Sequence, residues 1–303
     1  MTPDALHAAA VRVPCSTSNL GAGFDCIGLA LERWLDARYL PDDEPLRIER
    51  GGTLRSISGE NDDDILLRAF RAGLGARGIE SATGLIRATS DIPIARGLGS
   101  SGAATVAGLV LAAAALGRAL DRPAELERAY ELEHHPDNAA PSLYGGLVAV
   151  ARGNGVLRAM PLPLADEVTF AFAAPDAEVS TRVAREALPT VVPHDVAARG
   201  LGRVAALVQG FASGDPELLR IGFEDELHVP HRLKLIPHAA QAMDAARTAG
   251  ALAVTISGSG SGLIAVASRE RAAAVAEAMA DTFGGGVAFT SDADRRGVVA
   301  LEQ

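Results

Sequence analysis

The chain has 303 residues, 48% of them hydrophobic and 22% charged, with a formal net charge of −10. That length suits about two domains and a sizeable core, while the acidic balance offers no basic stripe to neutralise a nucleic-acid backbone. The cysteines, Cys15 and Cys26, lack CxxC spacing; they exclude a disulfide framework or a cysteine zinc site and are expected to be reduced.

MTPDALHAAAVRV, at the start, lacks the basic-then-apolar pattern of a signal peptide. The most membrane-like run, 103–117, is mostly alanine and falls short of the about 20 apolar residues that a spanning helix needs. The expectation is a cytoplasmic protein with neither membrane nor nucleic acid as partner. Val11–Pro14 reads as a short strand and STSNLGAGFD (16–25) as a polar loop. IGLALERWLDARYL (27–40) fits strand or helix, because its apolar period is mixed and Gly28 weakens a helix. ENDDDILLRAFRAGLGARG (60–78) predicts a helix, with acids at its dipole-favoured start and Gly78 to end it.

GLIRATSDI (84–92) alternates as a strand and feeds PIARGLGSSG (93–102), after which a small-residue apolar run predicts a buried helix to near Gly117. AELERAYELEHH (124–135) is a further helix, GGLVAVA (145–151) a strand and RGNGV (152–156) a turn. EVTFAFAAP (167–175) opens a second series, with helices expected near 180–188, 196–213, 237–249 and 269–283. Residues 251–268 suggest strands broken by serine and glycine, and a last strand falls near 286–290. No regular parallel βαβ repeat emerges, so the expected class is α+β, with a boundary around 152–166.

The loop at 93–102 has the makings of an anion site. Gly97, Gly99 and Gly102 would let the backbone approach a phosphate, and Ser100 and Ser101 stand where an N-cap belongs. The helix start adds unpaired N–H groups. A Walker loop would need a lysine that is missing here. A dinucleotide turn would need an acid ending a strand about 20 residues on, whereas Asp121 follows a helix. GSGSG (258–262) places its third glycine one residue early for that fingerprint. Pro230, between His228 and His231, is expected to break the helix that would align a metal pair.

PxxxGLGSSG with its small-residue helix resembles the second signature of the GHMP kinases. PCSTSNLGAGFDCIGLAL (14–31) and TISGSGSGLIAVA (255–267) resemble the first and third, although the third is more serine-rich than usual. SNLGAGFD, HPDNAAPSLYGG (135–146), VSTRVAREALP (179–189) and HVPHRLKLIP (228–237) resemble the homoserine kinase branch. The resemblance implies Mg²⁺- and ATP-dependent phosphorylation of the L-homoserine hydroxyl on the route to threonine. It implies a ribosomal-protein-S5-like domain at 1–155 and a ferredoxin-like domain at 156–303, with ATP in the cleft, and is compatible with a homodimer.

Carried onto this chain, the resemblance makes Pro93, Ile94, Ala95, Arg96, Gly97, Leu98, Gly99, Ser100, Ser101, Gly102 and Ala103 the ATP cradle. Asp64 stands near the adenine, where the family commonly has asparagine. Ser101 and a helical glutamate would hold Mg²⁺. Glu131 and Glu133 both precede HPDN, and two residues apart on a helix they face different ways, so one serves; Glu131 is the expected one. Arg185 and Arg232 match the arginines that take the substrate carboxylate, a role suited to a guanidinium fork. Asn19 and Asp25 match residues near the ammonium and hydroxyl, and His135 and Asn138 a further substrate-lining pair. Thr181 would lie near the reacting hydroxyl. Asp137 occupies the place where some superfamily kinases have a catalytic base. The rival readings are another GHMP small-molecule kinase and a non-catalytic nucleotide-binding relative.

Overall fold

A computed structural model of the chain describes residues 6–57 and 63–301. The first half builds β1 (Ala9–Ser18), β2 (Ile27–Pro45), β3 (Arg47–Gly52), α1 (Ile65–Gly75), β4 (Thr83–Ser90), α2 (Ser100–Ala115), α3 (Arg122–Glu133), α4 (Ala139–Tyr144), β5 (Leu147–Gly153) and β6 (Val156–Leu162). The second half builds β7 (Val168–Ala174), α5 (Thr181–Glu186), α6 (His194–Ser213), α7 (Pro216–Phe223), α8 (Val229–Arg232), α9 (Ala239–Ala249), β8 (Ala253–Ile256), β9 (Leu263–Ser268), α10 (Ala272–Phe283), β10 (Val287–Ser291) and β11 (Val299–Ala300).

The strands form two sheets. The larger runs β11-β1-β2-β4-β3, with β5 pairing to β2 and β6 to β5. The smaller runs β10-β7-β9-β8 and is antiparallel throughout. Among the described residues, only β3 and β4 of the larger sheet are parallel. The α+β class follows directly. A division at 155/156 would cut the β5–β6 hairpin, so we place the crossing between the two units at 163–167, ahead of β7.

Local chemistry explains most boundaries. In α1 the Asp64 side chain accepts the Leu67 N–H, and Leu66, Leu67, Phe70 and Leu74 form the buried stripe. That helix closes at Gly75, ahead of the expected Gly78, and the acids expected at its start in 60–62 lie outside the described residues. Helix α2 is buried on nearly all sides, as an apolar alanine-rich helix must be. The ambiguous 27–40 segment is strand. Gly28 belongs in it because a Cβ there would lie 2.1 Å from the Asp137 carbonyl oxygen. Pro230 does not break a helix: it sits in the first turn of α8, where no N–H is needed.

Phe170 of β7 packs against Phe211 of α6, and Phe211 against Phe223 of α7, within the core shared by both sheets. Cys15 is buried and Cys26 half-buried, both as free thiols, and burial pushes the Cys15 thiol up to about 12. After β10 the chain returns to the larger sheet, where β11 pairs with β1. Among the described residues no helix is long and apolar enough to cross a membrane.

Candidate active site

The glycine loop and the start of α2 border a cleft of about 370 Å³. Gly99, with φ of 59°, takes the N-cap place in the left-handed conformation; the expected serine caps are instead the first two helical residues. The glycines serve the protein side of the loop. A Cβ on Gly97 (φ 79°) would meet the Ser257 carbonyl oxygen at 1.9 Å, and one on Gly99 the Ser16 hydroxyl at 2.3 Å. Seated in this way, the loop leaves the N–H groups from Gly97 to Gly102 donating to nothing among the described residues. A row of free N–H groups at a helix start is an anion site. Ile94 to Ser101 line the cleft, whereas Pro93, Gly102 and Ala103 do not; Gly102 packs on Asn138. Arg96, the loop's one basic residue, donates to the Asp176 carbonyl at 2.8 Å and pairs with Glu178 at 3.1 Å. Its guanidinium pins the loop to the segment after β7.

Glu133, not Glu131, faces the loop. The Ser101 hydroxyl donates to Glu133 Oε2 at 3.2 Å, and the Thr105 hydroxyl donates to Oε1 of the same carboxylate. Glu131 is exposed on the other face of α3, in a shallow groove with Ala72, Ala76 and Arg128. The two-residue offset on the helix separates them, and the rotation of α3 against α2 decides which one turns inward. Thr105, one turn beyond Ser101, is a site residue that sequence reasoning missed; its spacing along α2 was the available signal.

At the other end lies a cluster of opposed charges. Arg185 closes its fork on Asp25, NH1 on Oδ2 and NH2 on Oδ1, each at 3.0 Å. Arg232 is buried, donating to the Ala184 carbonyl at 3.3 Å and the Gly258 carbonyl at 3.1 Å, with its guanidinium carbon 5.1 Å from the Phe24 ring. Burial depresses its pKa from the usual value. Asp137 is buried, and its Oδ1 has no hydrogen-bond partner. Burial first, and then the charge of Asp25, hold its carboxyl above the ordinary range, against the opposing pull of His135, the Ser18 hydroxyl and Arg185. His135 stands 3.8 Å from Glu133 and 3.9 Å from Asp137.

The two expected asparagines are structural ties. Asn19 donates to the Gly258 carbonyl at 3.0 Å and accepts the Asp25 N–H at 2.9 Å. Asn138 donates to the Ser18 hydroxyl at 3.0 Å and accepts from Ser16 at 3.1 Å. Their amides hold backbone that borders the cleft, and both residues line it, each with a second amide N–H beyond the bond described. The Thr181 hydroxyl lies 3.3 Å from that of Ser259, which also lines the cleft and which the sequence did not single out. His228 is buried beneath this end, stacked on Phe24 at 5.0 Å with Nε2 3.1 Å from the Gly21 carbonyl. Burial pulls its pKa down to about 4.

The remaining wall is apolar, formed by Leu35, Ile48, Leu54, Ile57 and Ile65. Asp64 lines the cleft here, with its carboxylate engaged by the protein. One oxygen caps α1, and the other accepts from Arg50 Nε at 3.0 Å and NH2 at 2.7 Å. Arg50, from β3, and Asp63 are the polar groups that border this end besides Asp64, and no pattern in RIERGG announces Arg50.

Comparison with known proteins agrees with this arrangement. Residues 64–146 match the model of the GHMP kinases N terminal domain, and residues 207–285 that of GHMP kinases C terminal. The chain is 41% identical over 246 residues to a homoserine kinase of Thermus thermophilus, covering 81% of this chain and 82% of the relative. It is 42% identical over 249 residues to one from Moorella thermoacetica, covering 82% and 83%. The crystal structure of homoserine kinase from Cytophaga hutchinsonii superimposes with a TM-score of 0.87 at 29% identity, covering 99% of this chain and 98% of that one. With three ordered signatures meeting in one cleft and this degree of likeness, the chain belongs to the homoserine kinase family of the GHMP kinases.

Proposed function

We propose that the chain transfers the γ-phosphoryl group of ATP to the side-chain hydroxyl of L-homoserine, yielding O-phospho-L-homoserine and ADP. The observation that carries this reading is the pairing of two unlike surfaces in one cleft. One is a loop of unpaired N–H groups; the other is a cluster of Asp25, Asp137, Arg185 and Arg232, with two charges of each sign. The first suits phosphate oxygens and the second an amino acid carrying both charges.

Phosphoryl transfer asks chiefly for positioning and charge stabilisation. The apolar wall takes the base, and the loop N–H groups hold the phosphate oxygens. Arg232, which donates to the Ala184 and Gly258 backbone carbonyls, directs its remaining donor capacity at the substrate carboxylate. Asp137 Oδ1, without a partner, accepts the hydroxyl proton, and the Thr181 hydroxyl orients the oxygen that loses it. Ser101 and Glu133 fit Mg²⁺: they offer a hydroxyl and one carboxylate, the hard oxygen donors that this ion combines with phosphate oxygens. Bound there, the ion would neutralise charge on the phosphates. An enzyme fed by ATP and a free amino acid is proposed to work in the cytoplasm.

The test is ADP release with L-homoserine, mevalonate, galactose and 4-diphosphocytidyl-methylerythritol as separate acceptors. Homoserine-dependent release is expected; turnover of another alcohol without homoserine would overturn the reading.

A further inference from the structure

The family resemblance asks Arg185, with Arg232, to take a carboxylate and Asp25 to attend an ammonium, yet Arg185 and Asp25 satisfy each other. Both N–H···O bonds are 3.0 Å in the forked geometry that is strongest for this pair. The partners are 160 positions apart in the chain, so the bond ties the β1–β2 loop to α5 in the second unit. Each side chain is 39% exposed, open enough for a ligand to reach.

The surroundings decide what can open this pair. A ligand bearing only a carboxylate could compete for Arg185, but it would strand Asp25 beside the buried Asp137 carboxylate. A ligand bearing only an ammonium could compete for Asp25, but it would strand Arg185 beside the buried Arg232 guanidinium. Either stranded charge would face an uncompensated like charge that is itself buried, which disfavours the ionised form of both. A zwitterion leaves nothing stranded, because one internal pair becomes two intermolecular ones.

We propose that the substrate enters by exchange into the Asp25–Arg185 ion pair, its ammonium replacing Arg185 on Asp25 while its carboxylate replaces Asp25 on Arg185, so that the site demands both charges at once. This rests on the amino-acid reading of the site. It turns two recognition residues into one coupled gate, with selectivity against singly charged alcohols built into the protein itself. The backbone favours a clean test. Asp25 has φ of 53°, a left-handed conformation that asparagine also tolerates, and Asp25→Asn keeps the N–H that bonds to Asn19.

The experiment measures binding to the full chain, with a non-hydrolysable ATP analogue present, of L-homoserine, 4-hydroxybutyrate (carboxylate only) and 3-aminopropan-1-ol (ammonium only). In the unaltered protein both singly charged alcohols should bind weakly and by similar amounts, since losing one charge costs as much as losing both. Asp25→Asn should weaken homoserine by about tenfold or more and tighten 4-hydroxybutyrate by about tenfold, because it frees the Arg185 fork. Arg185→Gln should mirror this, tightening 3-aminopropan-1-ol. Binding of the ATP analogue reports that each variant is folded. Should neither fold, acetate and methylammonium added together to the unaltered protein should displace homoserine more than the product of their separate effects. If 4-hydroxybutyrate is unchanged or weakened by Asp25→Asn, or acetate and methylammonium act independently, the two residues work separately and the exchange is wrong. If the unaltered protein fails to bind homoserine at all, the amino-acid reading itself fails.

Discussion

Glu131 and Glu133 separate two consequences of a single helix. The Glu133 carboxylate collects the Ser101 and Thr105 hydroxyls, while Glu131 faces a groove away from the loop. Glu133→Gln is expected to lower kcat by about 10²-fold or more by weakening charge stabilisation at the phosphates, and Glu131→Gln to leave it within about twofold; Mg²⁺ titrations of both variants check this. Asp137 supplies a pH prediction. Its folded pKa lies above the ordinary 3.8, so its contribution to stability is present below that value and is lost as pH rises through the folded pKa. Activity runs the other way, because a base must be ionised. Asp137→Asn should therefore raise the thermal midpoint at neutral pH while lowering kcat by about 10²-fold and flattening the acid limb of the rate profile. An unchanged kcat would mean that the hydroxyl proton passes directly to phosphate. At this scale the sequence announced residue types and spacings, such as Arg185, Arg232 and Asp137. It could not announce that Arg50 takes the Asp64 carboxylate, because that pairing depends on β3 lying against the start of α1.

The three signatures behave as one piece of architecture. The Ser257 hydroxyl donates to the Gly97 carbonyl at 2.7 Å and meets the Thr17 hydroxyl at 2.8 Å, and the Gly258 N–H donates to the Ser18 carbonyl at 2.9 Å. The phosphate loop thus rests on the first and third signatures. Gly97→Ala would force a Cβ toward the Ser257 oxygen at a φ of 79°, costing about 2–4 kcal/mol and weakening ATP binding; chemical denaturation and nucleotide titration would register both. A fully stable variant would mean the loop is not seated there. Elements with strong local signals, such as α1, α2, β4 and α9, stand close to where their patterns put them. Those missed were stabilised by distant partners. β3 is a strand because β4 pairs along it in parallel, and β6 because β5 folds it back. α7 is the exception, for Asp215-Pro216-Glu217 is a start signal available in the sequence.

Across the whole molecule, the larger sheet is built from both ends of the described chain. Asp294 anchors the return: it accepts the Arg296 and Gly297 N–H groups at 2.9 and 2.8 Å, and the Trp34 indole N–H at 3.2 Å. Asp294→Ala should cost about 1–3 kcal/mol by leaving the buried Gly297 N–H and the half-buried Trp34 indole N–H unmatched. Trp34 is the chain's one tryptophan, so its fluorescence should shift with the loosened segment; an unaltered spectrum and midpoint would show that the return is held elsewhere. Two units and their class were legible from pattern, but this return was not, because VVALEQ carries too short an apolar run to declare its partner.

That return also sets an order of events during synthesis. β1 is synthesised before β2 to β10, but β11, which pairs with it at Val11 and Arg12, is made only after the described helices of the second unit. Until then the stretch of β1 around Val11 and Arg12 lacks the partners that β11 supplies, a short open edge able to pair with other chains. Docking of β11 is therefore a late step of folding, one that waits on the second unit to carry the chain back to the larger sheet.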